Sequence, residues 1–208
     1  MKMRVLLVAL AMLLMGAGRG MAQAPAEPGK FDFYLLNLSW SPEFCATHAG
    51  NRQCAAKPGF ILHGLWATNL DASYPYHCAG GPGPANPAAY ADVTPDTSLI
   101  RHEWDAHGTC SGLGADAFFA LARKALQSVA IPAELKGLDH EIMLPPAGLR
   151  GMFAKANPSF PAGSVILSCG NNRLTAIEVC MTKDLKAMAC PVGIRSCRAN
   201  AVKVTPQR

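Results

Sequence analysis

The spacing of hydrophobic positions changes several times along this chain, and each change marks an element. Phe31 to Trp40 (FDFYLLNLSW) is an aromatic, leucine-rich run closed by Ser41 and Pro42, which predicts a buried strand. Phe60 to Asn69 (FILHGLWATN) opens on a second apolar run, whose strand character places His63 at a strand end just before Gly64. From Ala79 to Thr97 the chain is Gly, Pro and Ala with few apolar anchors, the composition of a long loop. A proline-free stretch of good helix formers follows Ser98 and predicts a helix through His102 to Cys110 (HEWDAHGTC). Phe118, Leu121, Ala122, Ala125, Leu126 and Val129 then recur at helical spacing, the core stripe of a helix over Ala115 to Val129. Leu149 to Ala156 predicts a short helix ahead of Pro158. Ser164 to Cys169 and Arg173 to Thr182 read as strands of a hairpin turning at Gly170-Asn171. The last twenty residues show no strong period.

The N-terminus changes the picture of where the chain works. Lys2 and Arg4 precede an apolar run from Val5 to Met15, and Gly20, Ala22 and Ala24 offer small residues for cleavage, so residues 1–22 are expected to be a signal peptide cut near 22–24. That run is too short to span a bilayer and no later stretch qualifies, which predicts export without a membrane anchor once the signal is removed. Lys2, Arg4 and Arg19 lie in the signal with no acid, so the formal charge falls from +5 to +2 and any attraction to nucleic acid must be local. Residues 23–208 suit one domain with one sizeable core, and a charged content of 16% fits a compact chain. Eight cysteines, an even number in an exported protein, predict disulfides, with the pairing left open by sequence.

The densest chemistry lies in HEWDAHGTC. In a helix, Glu103 and His107 stand four residues apart and share a face, and a carboxylate beside an imidazole raises its pKa and fixes its orientation. His102 and His107 are five apart, about 500° of rotation, which leaves them roughly 140° from one another. This spacing is wrong for a zinc-protease helix, whose histidines are four apart, and the chain has no CxxC zinc motif. His63 in FILHGLW supplies a second imidazole from a different element, with Trp66 close by.

Together, FILHGLW and HEWDAHGTC resemble the two active-site motifs of the ribonuclease T2 family. LSWSPEFC stands ahead of them and a cysteine-rich tail behind, so the resemblance covers about Phe31 to Cys197. It implies an α+β fold, a mainly antiparallel central sheet with flanking helices, stapled by disulfides Cys45–Cys54, Cys78–Cys110, Cys169–Cys197 and Cys180–Cys190. It also implies a monomeric, periplasmic or secreted endoribonuclease of low base specificity that cuts single-stranded RNA through a 2′,3′-cyclic phosphate with no metal and no cofactor. DNA is spared because it lacks the 2′-OH that attacks the phosphorus. His63, Glu103 and His107 match the family's catalytic residues, with the last as the favoured base. His102 matches a phosphate ligand, and Trp66 offers an aromatic face to a base. His48, His77 and His140 are expected to be structural, Trp40 and Trp104 core, and Asp105 a solvated or capping charge.

Two positions depart from the family pattern. Ala106 stands where lysine is usual and Ala67 where proline is usual. The first supports an alternative, an exported RNA-binding or toxin-like protein of the same fold with a weakened or lost reaction. It also predicts that Ala106→Lys, by adding a cation against the phosphorane, speeds the enzyme. A zinc hydrolase built on His102, His107 and another histidine would instead be abolished by EDTA.

Overall fold

The structure is a computed structural model that describes residues 26–207; the expected signal peptide lies outside the described residues. Six strands, β1 Phe33–Trp40, β2 Phe60–Thr68, β3 Ile142–Leu144, β4 Val165–Gly170, β5 Arg173–Met181 and β6 Val202–Val204, form one sheet in the order β2-β1-β5-β6-β3, with β4 on the other edge of β5. All pairings are antiparallel except the single β5–β6 bridge between Arg173 and Lys203. Helices α1 Ser41–Thr47, α2 Thr97–Ala106, α3 Ala115–Gln127 and α4 Pro146–Ala156 flank it. This is the α+β, mainly antiparallel architecture that the motifs imply.

The alternation along β1 sorts the sheet into two faces. Leu36, Leu38 and Trp40 join Leu65, Leu167, Ile177 and Val179 in a main core completed by Phe118, Ala122 and Ala125 of α3 and Leu149 and Phe153 of α4. On the other face Phe33, Leu35 and Cys180 make a smaller cluster with Trp66, Met188, Cys190 and Ile194. Asn37 and Glu178, register partners on β1 and β5, continue that second face as polar groups.

Several predicted boundaries move. β2 does not stop at Gly64 but runs to Thr68. Its pairing with β1 slips between Asn37 and Leu38, which face Gly64 and Leu62, so His63 is the extra residue of a bulge. The expected strand end is therefore a bulge that aims the imidazole without ending the strand. Helix α2 ends at Ala106, so HEWDAHGTC is not one helix: His107, at φ −125° and ψ −41°, leaves helical geometry and a 3-10 turn, Gly108–Ser111, follows. The β4–β5 turn falls at Asn171 and Asn172, both at positive φ (50° and 60°), where asparagine is tolerated in an L-chain.

The proline-rich loop is anchored better than its composition suggests. Tyr90 and Val93 are buried, the Val93 carbonyl accepts the Leu62 N–H at 2.9 Å, and Thr94 Oγ1 donates to the Leu62 carbonyl at 2.7 Å. The tail likewise contributes β6, and α1 follows β1 directly with Pro42 in its first turn, where no backbone donor is missed. Four disulfides join Cys45 to Cys54, Cys78 to Cys110, Cys169 to Cys197 and Cys180 to Cys190.

Candidate active site

The β2 bulge and α2 bring the first pair together. His63 has a 38% exposed side chain, and its Nε2 lies 3.4 Å from Glu103 Oε1. Glu103 is only 2% exposed, and its other oxygen accepts the Trp66 indole N–H at 2.8 Å. Gly64 makes this contact possible, because a β-carbon there would overlap both the Glu103 carboxylate and the Trp66 indole. Asp96 fixes the start of α2: one carboxylate oxygen accepts the Ser98 N–H at 2.8 Å and the other the Asn51 amide at 3.0 Å. The Ser98 hydroxyl, donating to that carboxylate, holds its pKa below the ordinary value with help from the Ser98 N–H and Asn51.

The expected pairing of Glu103 with His107 is thus replaced by a pairing of Glu103 with His63. Because α2 ends before position 107, the His107 ring turns away and stacks on Trp66, with centroids 5.0 Å apart and planes at 29°. Tyr76 meets it edge-on at 5.3 Å. His107 is 9% exposed, and its Nδ1 is buried with no partner among the described residues, which leaves Nε2 as the nitrogen it can offer a substrate. Burial depresses its pKa from 6.5 to about 4; Glu103 opposes that fall, while His102, His63 and His77 add to it. The expectation that a carboxylate would raise this imidazole is therefore reversed, since desolvation outweighs the charge.

The segment over His107 is clasped to the end of α2. Cys78 is bonded to Cys110, the His77 N–H donates to the Ala106 carbonyl at 3.0 Å, and the His77 ring lies 3.2 Å from the Asp105 carboxylate. Asp105 is consequently paired rather than merely solvated. Under this clasp Ala106 is 0% exposed. A lysine stem at 106 must displace its neighbours before its ammonium reaches the site, which removes the basis for expecting a faster Ala106→Lys enzyme.

Two separate cavities are lined by these residues. Trp66, Thr68, Tyr74, Tyr76, His107, Glu178 and Arg195 line one of about 520 Å³. His63 and His102 line another of about 270 Å³ with Phe44, Asn51, Gln53 and Leu99. The exposed His102 thus lines the His63 cavity rather than the one that His107 borders. Trp66 borders the larger cavity while already serving as the stacking partner of His107 and the donor to Glu103. Trp40 and Trp104 are buried in the main core, as core residues.

Three features of the site carry only weak signals in the sequence. Gly64 interrupts an apolar strand, a signal for a bulge or a close approach. Tyr74 and Tyr76 are aromatic residues in a polar loop, 57% and 44% exposed. Asn37 and Glu178 are polar residues inside otherwise apolar strands, the pattern of a second face with its own task.

The Ribonuclease T2 family model matches residues 31–190. A ribonuclease of Aeromonas hydrophila is 42% identical over 135 residues, covering 64% of this chain and 62% of its own length. A probable ribonuclease of Haemophilus influenzae is 28% identical over 179 residues, covering 76% of this chain and 61% of its own length. The chain thus spans about three-fifths of the length of these two relatives. Among solved structures, an RNase-related protein from Calystegia sepium superposes with a TM-score of 0.70 at 21% identity, over 85% of this chain and 97% of that one, a likeness of fold. With its paired imidazole motifs, its sheet and its four disulfides inside the matched region or beside it, the chain belongs to the Ribonuclease T2 family.

Proposed function

We propose that this chain is an exported, monomeric endoribonuclease that cleaves single-stranded RNA by metal-independent transphosphorylation to a 2′,3′-cyclic phosphate. The carrying observation is the contrast between two imidazoles that touch one indole: His63 Nε2 lies 3.4 Å from the buried Glu103 carboxylate, whereas burial keeps His107 neutral above about pH 4. Two imidazoles in such different surroundings, one against a carboxylate and one desolvated, are suited to acid and base roles. His107 Nε2 removes the 2′-OH proton, the 2′-oxygen attacks the adjacent phosphorus, and His63 protonates the departing 5′-oxygen. Glu103 orients His63, and Trp66 orients Glu103. His102, in the His63 cavity, contacts the phosphate and offsets the charge of the phosphorane. The base of the attacking nucleotide lies in the cavity bounded by Trp66, Tyr74 and Tyr76. Four disulfides support export to an oxidising compartment, and a single catalytic domain is assigned to the chain after the signal peptide.

Incubation of the oxidised protein with RNA in EDTA tests the reading. The expected result is fragments bearing 2′,3′-cyclic phosphate ends and no cleavage of the 2′-deoxy polymer. Loss of activity in EDTA points to a metal hydrolase, and intact RNA at high protein concentration points to a non-catalytic RNA-binding protein.

A further inference from the structure

The second face of the sheet holds a carboxylate that the reaction above does not use. Glu178 on β5 is flanked by its register partner Asn37 on β1 and by Ser168 on β4. Asn37 Nδ2 donates to Glu178 Oε1 at 3.1 Å and the Ser168 hydroxyl donates to the same oxygen at 2.8 Å. Oε2 accepts no hydrogen bond from any described residue. Gripped at Oε1 from two strands, the carboxylate is held in place, and Oε2 is left as a fixed acceptor. Glu178 borders the 520 Å³ cavity whose walls are Trp66, Tyr74, Tyr76 and His107, with Arg195 at the same cavity.

Burial pushes the Glu178 pKa up, and the hydrogen bonds from Ser168 and Asn37, with His63, oppose that rise in favour of the charged form. As an ionised carboxylate it is an acceptor only, and beside a polyanion it repels phosphate, so it is matched to the N–H donors of a base. The four Watson–Crick edges differ in what they show such a group. Adenine and cytosine place a ring-nitrogen lone pair beside their one amino group, and uracil flanks its single N–H with two carbonyl oxygens. Guanine alone sets two donors, N1–H and N2–H2, on neighbouring atoms. Oε2, the one oxygen left free by the described residues, can be shared by N1–H and N2–H2 when set at the guanine edge, whereas every other base places an acceptor beside its single donor group.

We infer that Glu178 is a specificity-determining residue that favours guanine in the cavity between Trp66 and the two tyrosines, with Arg195 available to donate to the guanine O6. The aromatic walls accept any base, so cleavage stays broad, and Glu178 grades it by about tenfold in favour of guanine, within the range of a two-donor contact. The inference rests on the proposed function for its rate predictions but not for its binding predictions.

Two measurements separate the two. The first compares kcat/KM for GpA, ApA, CpA and UpA in the wild type and in Glu178→Gln, and the expected result is a guanine preference of about tenfold that shrinks to within about twofold in the variant. The second titrates wild-type protein with 2′-GMP and 2′-AMP, needs neither turnover nor a folded variant, and is expected to show the same preference in Kd. Equal Kd values in the wild type overturn the inference, as does a guanine preference that survives intact in Glu178→Gln. Selective 2′-GMP binding without any RNA cleavage sustains the inference and defeats the proposed function.

Discussion

The two sides of the site hold the same side chain in opposite ways. His63 sits on a strand bulge, more than a third exposed, with a buried carboxylate beside its Nε2. His107 sits just past a helix end, buried among Trp66, Tyr74 and Tyr76, with no polar partner for Nδ1 among the described residues. Both rings touch Trp66, His63 edge-on at 5.7 Å and His107 nearly face to face. What differs is a carboxylate partner on one side and desolvation on the other. In the proposed reaction, proton donor and proton acceptor are therefore distinguished by their neighbours rather than by residue type.

The largest effect comes from removing one side. His63→Phe keeps an aromatic ring at the bulge but no proton, and kcat is expected to fall by about a hundredfold to ten-thousandfold while binding of a 2′-deoxy oligonucleotide changes little. Near-normal turnover in a folded variant would remove His63 from the mechanism. Loosening the other side comes next. Replacing Cys78 and Cys110 by alanine releases the segment that covers His107, and in the chain-entropy model a loop of this length stabilises the fold by about 3 to 4 kcal/mol. Urea titration should show a lower midpoint, and an unchanged midpoint would mean that Tyr90 and Val93 alone anchor the loop.

How far each side was legible in sequence follows from what made it. The sheet and the α3 stripe were readable because burial on one face imposes periods of 2 and 3.6 on the residues themselves. His63, Glu103 and His107 were recognisable as a set from their two motifs. Their partnership was not, because it depends on two interruptions of regular structure that periodicity does not report. One is the register slip that makes His63 a bulge, and the other is the helix ending at Ala106 that separates His107 from Glu103. Glu178 and Asn37 escaped notice for a related reason: they lie 141 residues apart in sequence, and only strand order makes them neighbours.

Ala106→Lys tests whether the covered side has room for a cation. With Ala106 fully buried beneath the Cys78 clasp, the substitution is expected to cost about 2 to 3 kcal/mol in stability and to give no gain in kcat. A faster enzyme with normal stability would show that the lysine stem escapes toward the phosphate. Trp66→Phe tests the shared wall, since phenylalanine keeps the ring that His107 stacks on but removes the only N–H that Glu103 Oε2 accepts among the described residues. A loss of about tenfold in kcat/KM is expected, carried by kcat, because a buried carboxylate short of one donor orients His63 less firmly. A loss in KM alone would assign Trp66 to base stacking instead.

The mildest test changes only pH. A base must be neutral to take the 2′-OH proton, and an ordinary histidine is already half protonated near pH 6.5. Burial lowers the His107 value to about 4, so kcat/KM should hold as pH falls through 6.5 and drop to about half only near pH 4. The same displacement has a sign in stability. Between about pH 6.5 and 4 the unfolded chain binds a proton at this ring and the folded chain does not, so acidification favours unfolding across that window and has no such effect above it. Thermal unfolding of His107→Gln should lack this part of the pH dependence while His63→Phe keeps it. An acid limb centred near 6.5 in the wild type, with no difference between the variants, would mean that burial does not set the protonation of His107 and that the contrast between the two sides fails.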